Sequence, residues 1–213
     1  NTTGQYNTAS GWGSLYSNTT GANNTASGYA SLYLNTTGSE STASGVNSLG
    51  SNTTGLRNTA SGTNSLVYNT IGSNNTATGA YSLYSNTTGS NNTANGIQSL
   101  YSNTTGEANA AVGHNSLYYN TTGNNNTASG GDQSLFSNTT GSSNTATGTN
   151  SLYANITGNE NAAVGFNALN KNTIGNYSVA IGAWSLYNNM GSNNTALGHS
   201  ALYSNTTGTG NMA

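Results

Sequence analysis

The chain has 213 residues, and its two basic and four acidic side chains give a formal net charge of −2. Without a basic surface for phosphates or anionic lipids, neither nucleic acid nor a membrane is expected as a partner. Cysteine is absent, which excludes a disulfide framework and a thiolate metal site, and no apolar run is long enough to span a bilayer.

The first recognisable element is NTTG, and it returns throughout the chain at a nearly fixed interval. A second glycine follows each of the first twelve of these elements by seven residues, from Gly11 to Gly198. The consensus is N-T-T-G-x-x-N-T-A-x-G-x-x-S-L-Y-x, and the interval is 17 residues except for one of 18, at Gly130 to Gln133, and one of 16, after Leu186. A fixed period of this length indicates a repeat architecture. The first glycines lie at positions 4, 21, 38, 55, 72, 89, 106, 123, 141, 158, 175, 191 and 208.

Three rows of the repeat are predicted to face inward. Alanine always stands two residues before the second glycine, from Ala9 to Ala196, and leucine stands four residues after that glycine, or five in the 18-residue repeat, from Leu15 to Leu202. The second Thr of NTT becomes apolar at Ile71, Ile174 and Met190, so we expect this row to be buried as well. The two positions after the first glycine carry charges and are expected to face solvent, as at Glu40, Arg57, Glu107 and Glu160.

The spacing predicts an all-β fold. Glycines alternating at seven and ten residues and β-branched Thr throughout exclude helices. We therefore expect a parallel β-solenoid, or β-roll, of about twelve 17-residue coils that forms a single array over residues 1–213, with a partial repeat at the C-terminus. The asparagines before TT and before TA are expected to stack as hydrogen-bonded ladders, with Ser41 and Ser178 replacing Asn in the second row.

The segment NYSVAIGAWSL (176–186) resembles the head repeats of YadA-like trimeric adhesins and related bacteriophage tail-fibre repeats. Weaker matches are NAAVGHNSL (109–117) and NAAVGFNAL (161–169). The resemblance implies a left-handed parallel β-roll, three chains wrapped together, and a surface-exposed role in adhesion or receptor contact. Family repeats are shorter, and the apolar positions at Val179 and Ile181 are Thr and Ser in most repeats of this chain.

No catalytic constellation can be assembled from the repeats. His114 and His199 share a row but lie five coils apart, which is too far to share a metal, so we interpret them as separate surface histidines. The carboxylates are isolated from one another, which leaves no acid and base pair. We therefore expect no enzyme activity, cofactor or metal site.

Two sets of residues are candidates for modification or contact. The Asn-x-Ser/Thr sequons in the variable row are the better glycosylation candidates because that row is expected to be exposed; they are Asn23, Asn74, Asn91, Asn125 and Asn193. The residue after the repeated Leu is usually aromatic, and alternation along a strand predicts that it faces outward. This aromatic stripe is interpreted as an interface between chains, with sugar binding as the alternative; it comprises Tyr16, Tyr33, Tyr84, Tyr101, Tyr118, Phe136, Tyr153, Tyr187 and Tyr203.

The leading hypothesis for function is a structural or adhesive extracellular fibre subunit on a cell or virion surface. Its partners would be copies of itself, in a filament or a trimer, and host-surface glycans. Because the chain opens on NTTG and stops at NMA, partway through a repeat, we expect either a window of a longer array or end-to-end stacking of subunits. The alternatives are a carbohydrate-binding module and an ice-binding solenoid with Thr-x-Thr pairs, whose regularity is interrupted at Val112, Val164, Ile181 and Leu197.

Overall fold

A computed structural model describes residues 1–213, which form two compact units, Asn1–Glu107 and Ala108–Ala213. All regular structure is β, with one short strand per repeat and no helix, so the chain has no helical segment that could cross a bilayer. The strands of the first unit are β1 (Thr8–Ser10), β2 (Thr25–Ser27), β3 (Thr42–Ser44), β4 (Thr59–Ser61), β5 (Thr76–Thr78) and β6 (Thr93–Asn95). Those of the second unit are β7 (Ala110–His114), β8 (Thr127–Asp132), β9 (Thr145–Thr147), β10 (Ala162–Val164), β11 (Val179–Ile181) and β12 (Thr195–Leu197).

Within each unit the strands pair in parallel with their neighbours in sequence order. The register joins equivalent positions of the repeat, as in Ala26 with Ala43 of the first unit and Ala163 with Ala180 of the second. Backbone hydrogen bonds also join successive coils outside the strands, for example from Leu32 N to Ser48 O at 3.0 Å. The whole coil is therefore the stacking unit, and the predicted parallel β-solenoid is confirmed. The prediction of one continuous array over residues 1–213 stays a prediction.

The interior of each unit consists of the predicted alanine and leucine rows. Alanine is fully buried from Ala26 to Ala196, and leucine is buried from Leu15 to Leu186. Ala9 is exposed and Leu202 is half-buried because each lies in a coil that is covered on only one side. The assignment of these two rows to the inside is confirmed, and the apolar core is a narrow column of small and medium side chains.

The third row predicted to face inward, the second Thr of NTT, faces solvent instead. Ile71, Ile174 and Met190 are 54%, 62% and 44% exposed. The reason is the tightness of the corner, in which the N–H groups of Thr19 and Thr20 converge on one carbonyl oxygen of the next coil at 2.9 and 3.2 Å. The corner therefore turns its second side chain outward, and single exposed apolar residues of this kind are common on protein surfaces.

The first asparagine row forms the predicted ladder. The amide nitrogen of Asn35 donates to Asn18 Oδ1 at 2.8 Å and to Gly38 O at 2.9 Å, so both amide hydrogens are used inside the fold. Equivalent bonds recur along each unit, and the side chains are buried. The carboxamides thereby satisfy the glycine carbonyls that the tight corner leaves inside the coil.

The second asparagine row holds the coils together through its oxygen. Asn24 Oδ1 accepts from the backbone N of Ser41 at 3.0 Å, while Asn24 Nδ2 donates to Gly38 O at 2.8 Å. Ser41 keeps the acceptor function, since the backbone N of Asn58 donates to its Oγ at 3.2 Å. Serine is tolerated in this row because it supplies the acceptor that the next coil needs.

The leucines adopt an unusual backbone conformation. Leu66 has φ of 51° and Leu83 of 49°, and the segment Ser-Leu-Tyr is a turn, not a strand. The predicted reason for the outward direction of the stripe, alternation along a strand, is therefore wrong, although the direction is right. A left-handed residue other than glycine costs about 1–2 kcal/mol, which burial of one leucine side chain, worth about 2 kcal/mol, offsets.

The two repeats of irregular length lie in the second unit. In the 18-residue repeat β8 is extended, and the register shifts between Val112 and His114, so that His114 pairs with Asp132. In the 16-residue repeat the amide of Asn189 donates to Gly191 O at 2.7 Å, while Asn172 Oδ1 is buried without a hydrogen-bond partner. The first ladder is thus interrupted at the short repeat.

Candidate interaction surface

The aromatic stripe runs along the outside of both units and is built by stacking of rings from successive coils. Tyr84 and Tyr101 stack with centroids 4.9 Å apart and planes 6° apart, and Tyr16 stacks on Tyr33 at 5.1 Å and 5°. Most of the rings are half-buried because they cover one another, whereas Tyr16 and Tyr203 are exposed. The second unit adds two further stacks, of Tyr118, Phe136 and Tyr153, and of Tyr187 and Tyr203.

The stripe is interrupted where its row holds a residue that is not aromatic. In the first unit Gly50 and Val67 occupy this row, and Tyr68, beside Val67, packs edge-on against Tyr84 at 5.0 Å. In the second unit Asn170 stands between Tyr153 and Tyr187 in the row. The structure therefore brings the predicted stripe residues together as separate stacks.

Additional rings join the stripe from the side and change its chemistry locally. The Tyr84 hydroxyl donates to the Tyr68 hydroxyl at 3.4 Å. This hydrogen bond and the partial loss of solvent raise the pKa of Tyr84 to about 12, because both favour the neutral phenol. In the second unit the ring centroids of Trp184 and Tyr187 are 4.9 Å apart. Tyr119 packs edge-on against Phe136 with the centroids 5.1 Å apart. Tyr84 therefore remains uncharged up to strongly alkaline pH.

The strand face of each unit is a second regular surface. Its central alanines point inward, and the side chains on either side of them point outward. In the first unit the outward side chains form one column of Thr, from Thr8 to Thr93, and one of Ser10, Ser27, Ser44, Ser61, Thr78 and Asn95. In the second unit the columns are interrupted by the exposed apolar side chains of Val112, Val164, Ile181 and Leu197.

The candidate glycosylation sites lie in an exposed corner of the coil, as predicted for their row. Each has a left-handed backbone, for example φ of 58° at Asn74 and 61° at Asn91. Asparagine adopts this conformation more readily than most residues, which is a sufficient reason for its frequency here. Asn23, Asn74, Asn91, Asn125 and Asn193 are all exposed, and their glycosylation stays a prediction. By contrast, the asparagines of NTT in the middle coils are buried, with both amide hydrogens donated within the fold.

The same variable row contains the ion pair between Arg57 and Glu40 of adjacent coils, with Nε and Oε2 2.8 Å apart. Its hydrogen bond to Glu40 raises the pKa of Arg57. Because both side chains are more than half exposed, the pair indicates stacking of this row and contributes little to stability.

His114 is not a lone surface histidine. Its Nδ1 lies 2.9 Å from Asp132 Oδ1 in the next coil, a contact that sequence spacing missed. The inserted glycine at Gly130–Gly131 brings Asp132 into register with His114. In the sequence, the extra residue is the one indication of this contact. No group of three or more His, Cys, Asp or Glu side chains is placed to hold a metal ion.

Comparison with known proteins adds no assignment to this geometry. No protein-family model matches the chain, and no curated protein matches it.

Proposed function

We propose that this chain is a structural subunit of an extracellular fibre and that the aromatic stripe joins chains laterally. The observation that supports it is the stripe, in which rings such as Tyr84 and Tyr101 stack coil upon coil on the outside of the solenoid. Contiguous exposed apolar surface, unlike apolar residues scattered singly, marks interaction sites on proteins. An adhesive role on a cell or virion surface belongs to the same proposal.

The composition supports self-association over binding to a charged partner. Only 3% of the residues are charged, so two copies approach each other with little electrostatic repulsion. Aromatic side chains are also the residues that contribute most to binding when they are covered at an interface. The stripe of a second copy has the same distance between successive rings, because in both copies neighbouring coils are one strand spacing apart.

The test is the assembly state of the chain and of a variant without part of the stripe. We expect the unaltered chain to form polymers in sedimentation velocity and electron microscopy, and Tyr118→Ser/Phe136→Ser/Tyr153→Ser to lose lateral association. The matched control is Val164→Thr/Ile156→Thr/Ile174→Thr, which removes three exposed apolar side chains outside the stripe in the same unit. The proposal is wrong if the unaltered chain stays a compact monomer, or if both variants lose assembly equally.

Ice binding is a second candidate, favoured by the strand face of the first unit. Its Thr column repeats at about 4.8 Å along the solenoid, and the two exposed side chains of each strand are about 6.8 Å apart. Such a flat array of hydroxyl groups is the feature expected of a surface that orders water. Thermal hysteresis should then be measurable and should disappear in Thr42→Lys/Thr59→Lys; a solution that freezes like its buffer rejects this candidate.

A further inference from the structure

The second unit contains a cleft of about 260 Å³ that the repeat pattern explains. It is lined by two rows of three consecutive repeats each. One row contributes carboxamides and the other contributes two aromatic rings with an asparagine between them. The lining residues are Gln133, Asn150 and Asn167 in the first row and Tyr153, Asn170 and Tyr187 in the second.

The cleft lies where the stripe lacks one ring. Tyr153 stacks on Phe136 at 5.3 Å and 6°, and Tyr187 stacks on Tyr203 at 5.3 Å and 5°. Each of the two bordering rings thus has its partner on the side away from Asn170. Two coil spacings separate them by about 9.6 Å, which leaves about 5 Å on either side of an intervening ring. This is the spacing that the filled positions of the stripe already have.

Asn170 does not fill the slot that it faces. Its amide nitrogen donates to Asn150 O at 3.0 Å and to Asn167 Oδ1 at 3.1 Å. The side chain is therefore fixed against the coil by its two amide hydrogens and does not occupy the space between the rings.

The polar wall of the cleft has unused hydrogen-bonding capacity. Asn150 Oδ1 is buried without a partner, although buried polar atoms are almost always paired. Leaving such an acceptor unpaired is unfavourable. A ligand that brings hydroxyl donors between the rings would recover part of this cost after a small rotation of the amide.

We propose that this cleft binds a single sugar ring between Tyr153 and Tyr187. A sugar ring has two apolar faces for the aromatic rings and hydroxyl groups around its edge for the carboxamides of Gln133, Asn150 and Asn167. An aromatic ligand matches the slot equally well in shape but brings no donor to Asn150 Oδ1, so the polar wall favours the sugar. A cleft of about 260 Å³ suits one ring, since sites for larger ligands are typically bigger.

One charged group lies at this site. The Lys171 ammonium is 5.0 Å from the centroid of Tyr187. Since Tyr203 stacks on one face of Tyr187, the ammonium lies over the face toward Asn170 and must move aside for the ligand. A sugar with a carboxylate has a cation within reach here, so the probes include neutral and acidic sugars.

The experiment measures binding to the full chain by saturation-transfer NMR at millimolar concentrations of methyl glucoside, methyl galactoside and galacturonate, with phenol as the aromatic probe. Asn170→Tyr restores the residue type of the stripe and fills the slot without removing an interior contact of the core rows. The matched control is Val67→Tyr, which restores a ring at the interruption in the first unit. Thermal unfolding of both variants verifies that the fold is kept.

We expect at least one sugar to bind the unaltered chain and Val67→Tyr, and to bind Asn170→Tyr about tenfold more weakly or not at all. Absence of sugar binding, binding that survives in Asn170→Tyr, or slot-dependent binding of phenol alone would overturn the proposal. The inference does not rest on fibre assembly, because binding is measured on dissolved chains. Absence of sugar binding would therefore not affect the fibre proposal. Absence of chain assembly would likewise not affect the proposal that the cleft binds a sugar.

Discussion

The 18-residue repeat and the 16-residue repeat differ in how the change of length affects the interior of the coil. In the 18-residue repeat the extra residue is absorbed at the end of β8, where His114 and Asp132 come into register on the surface. The asparagine ladder continues past it, from Asn138 Nδ2 to Asn120 Oδ1 at 2.7 Å. The buried atoms without a partner next to the insertion are Ser134 Oγ and Asn115 Oδ1.

In the 16-residue repeat the change reaches the ladder itself. One residue of NTT is missing before Gly191, so Asn189 Nδ2 bonds Gly191 O two residues ahead, where other repeats bond a glycine three residues ahead. Asn172 Oδ1 is left without a donor from the next coil, while Asn189 Oδ1 accepts from Asn194 in addition to its ladder partner Asn205.

The contrast shows which segments of the coil tolerate a change of length. An added residue can bulge toward solvent, so the interior rows keep their spacing. A deleted residue shortens the path between an interior asparagine and its glycine, and this forces the interior side chain to move. The following changes test that contrast, beginning with the largest expected effect.

A charge in the leucine row should abolish folding of its unit, because this row remains buried in regular and irregular repeats alike. Leu100→Asp places a carboxylate where leucine is fully buried, and we expect a loss of more than about 4 kcal/mol in the free energy of unfolding. The control is Ile97→Asp in the same repeat, where the side chain is 53% exposed. An unchanged thermal transition in Leu100→Asp would reverse the assignment of inside and outside.

Removal of a ladder amide should cost more in a regular coil than next to the short repeat. Asn86 makes three side-chain hydrogen bonds, to Asn69, to Gly89 and from Asn103, whereas Asn172 makes two. At about 1 kcal/mol each, Asn86→Ala should cost about 3 kcal/mol and Asn172→Ala about 2 kcal/mol. Urea unfolding of the two variants gives the difference; equal losses would mean that the interruption at Asn189 has no energetic consequence.

Restoring the missing residue should stabilise the second unit. A Thr inserted between Met190 and Gly191 returns the repeat to 17 residues and allows Asn189 to bond Asn172. We expect a gain of about 1–2 kcal/mol in urea unfolding, since a buried acceptor regains its donor. A loss of stability on insertion would show that the neighbouring coil has adapted to the shorter path.

Deletion of Gly131 should have the smallest effect. It allows Ser134 Oγ to bond Gly130 O, as Ser116 Oγ bonds Gly113 O at 2.9 Å, but it separates His114 from Asp132. Because one buried hydrogen bond is gained and one exposed ion pair is lost, we expect the free energy of unfolding, measured in urea, to rise by about 1 kcal/mol or less. A large destabilisation would assign the bulge a structural role that its surface position does not suggest.

The sequence predicts the repeated features of the fold well because each repeat is an independent observation of the same site. The alanine and leucine rows and both asparagine ladders follow from this uniformity. The error at Ile71, Ile174 and Met190 came from treating apolar substitution as proof of burial, whereas the corner geometry at Thr19 and Thr20 decides the direction of the side chain. Such geometry depends on backbone hydrogen bonds that the residue types do not encode.

Single events were predicted poorly for the opposite reason. The contact between His114 and Asp132 needs a register shift that one extra glycine creates, and the left-handed leucines have no signature in residue type. The cleft at Asn170 was missed because two rows of the repeat, three residues apart in sequence, had to be known as neighbours on the surface. The outward direction of the stripe was predicted, but its half-burial required the ring stacking.

The ladders have a direction, and this gives the faces of a coil opposite chemistry. In both asparagine rows Oδ1 accepts from the later coil, as from Asn35 Nδ2 to Asn18 and from the backbone N of Asn24 to Asn7, whereas the second-row amide donates the other way, from Asn24 Nδ2 to Gly38 O. The C-terminal face of a coil thus presents the carboxamide oxygens of both rows and the Nδ2 hydrogens of the second row, and its N-terminal face presents the N–H groups and the glycine carbonyl that pair with such a face. Two coil faces opened to solvent therefore complement each other head to tail and not head to head. A contact of that polarity is heterologous, unlike the self-complementary contact of a two-fold dimer.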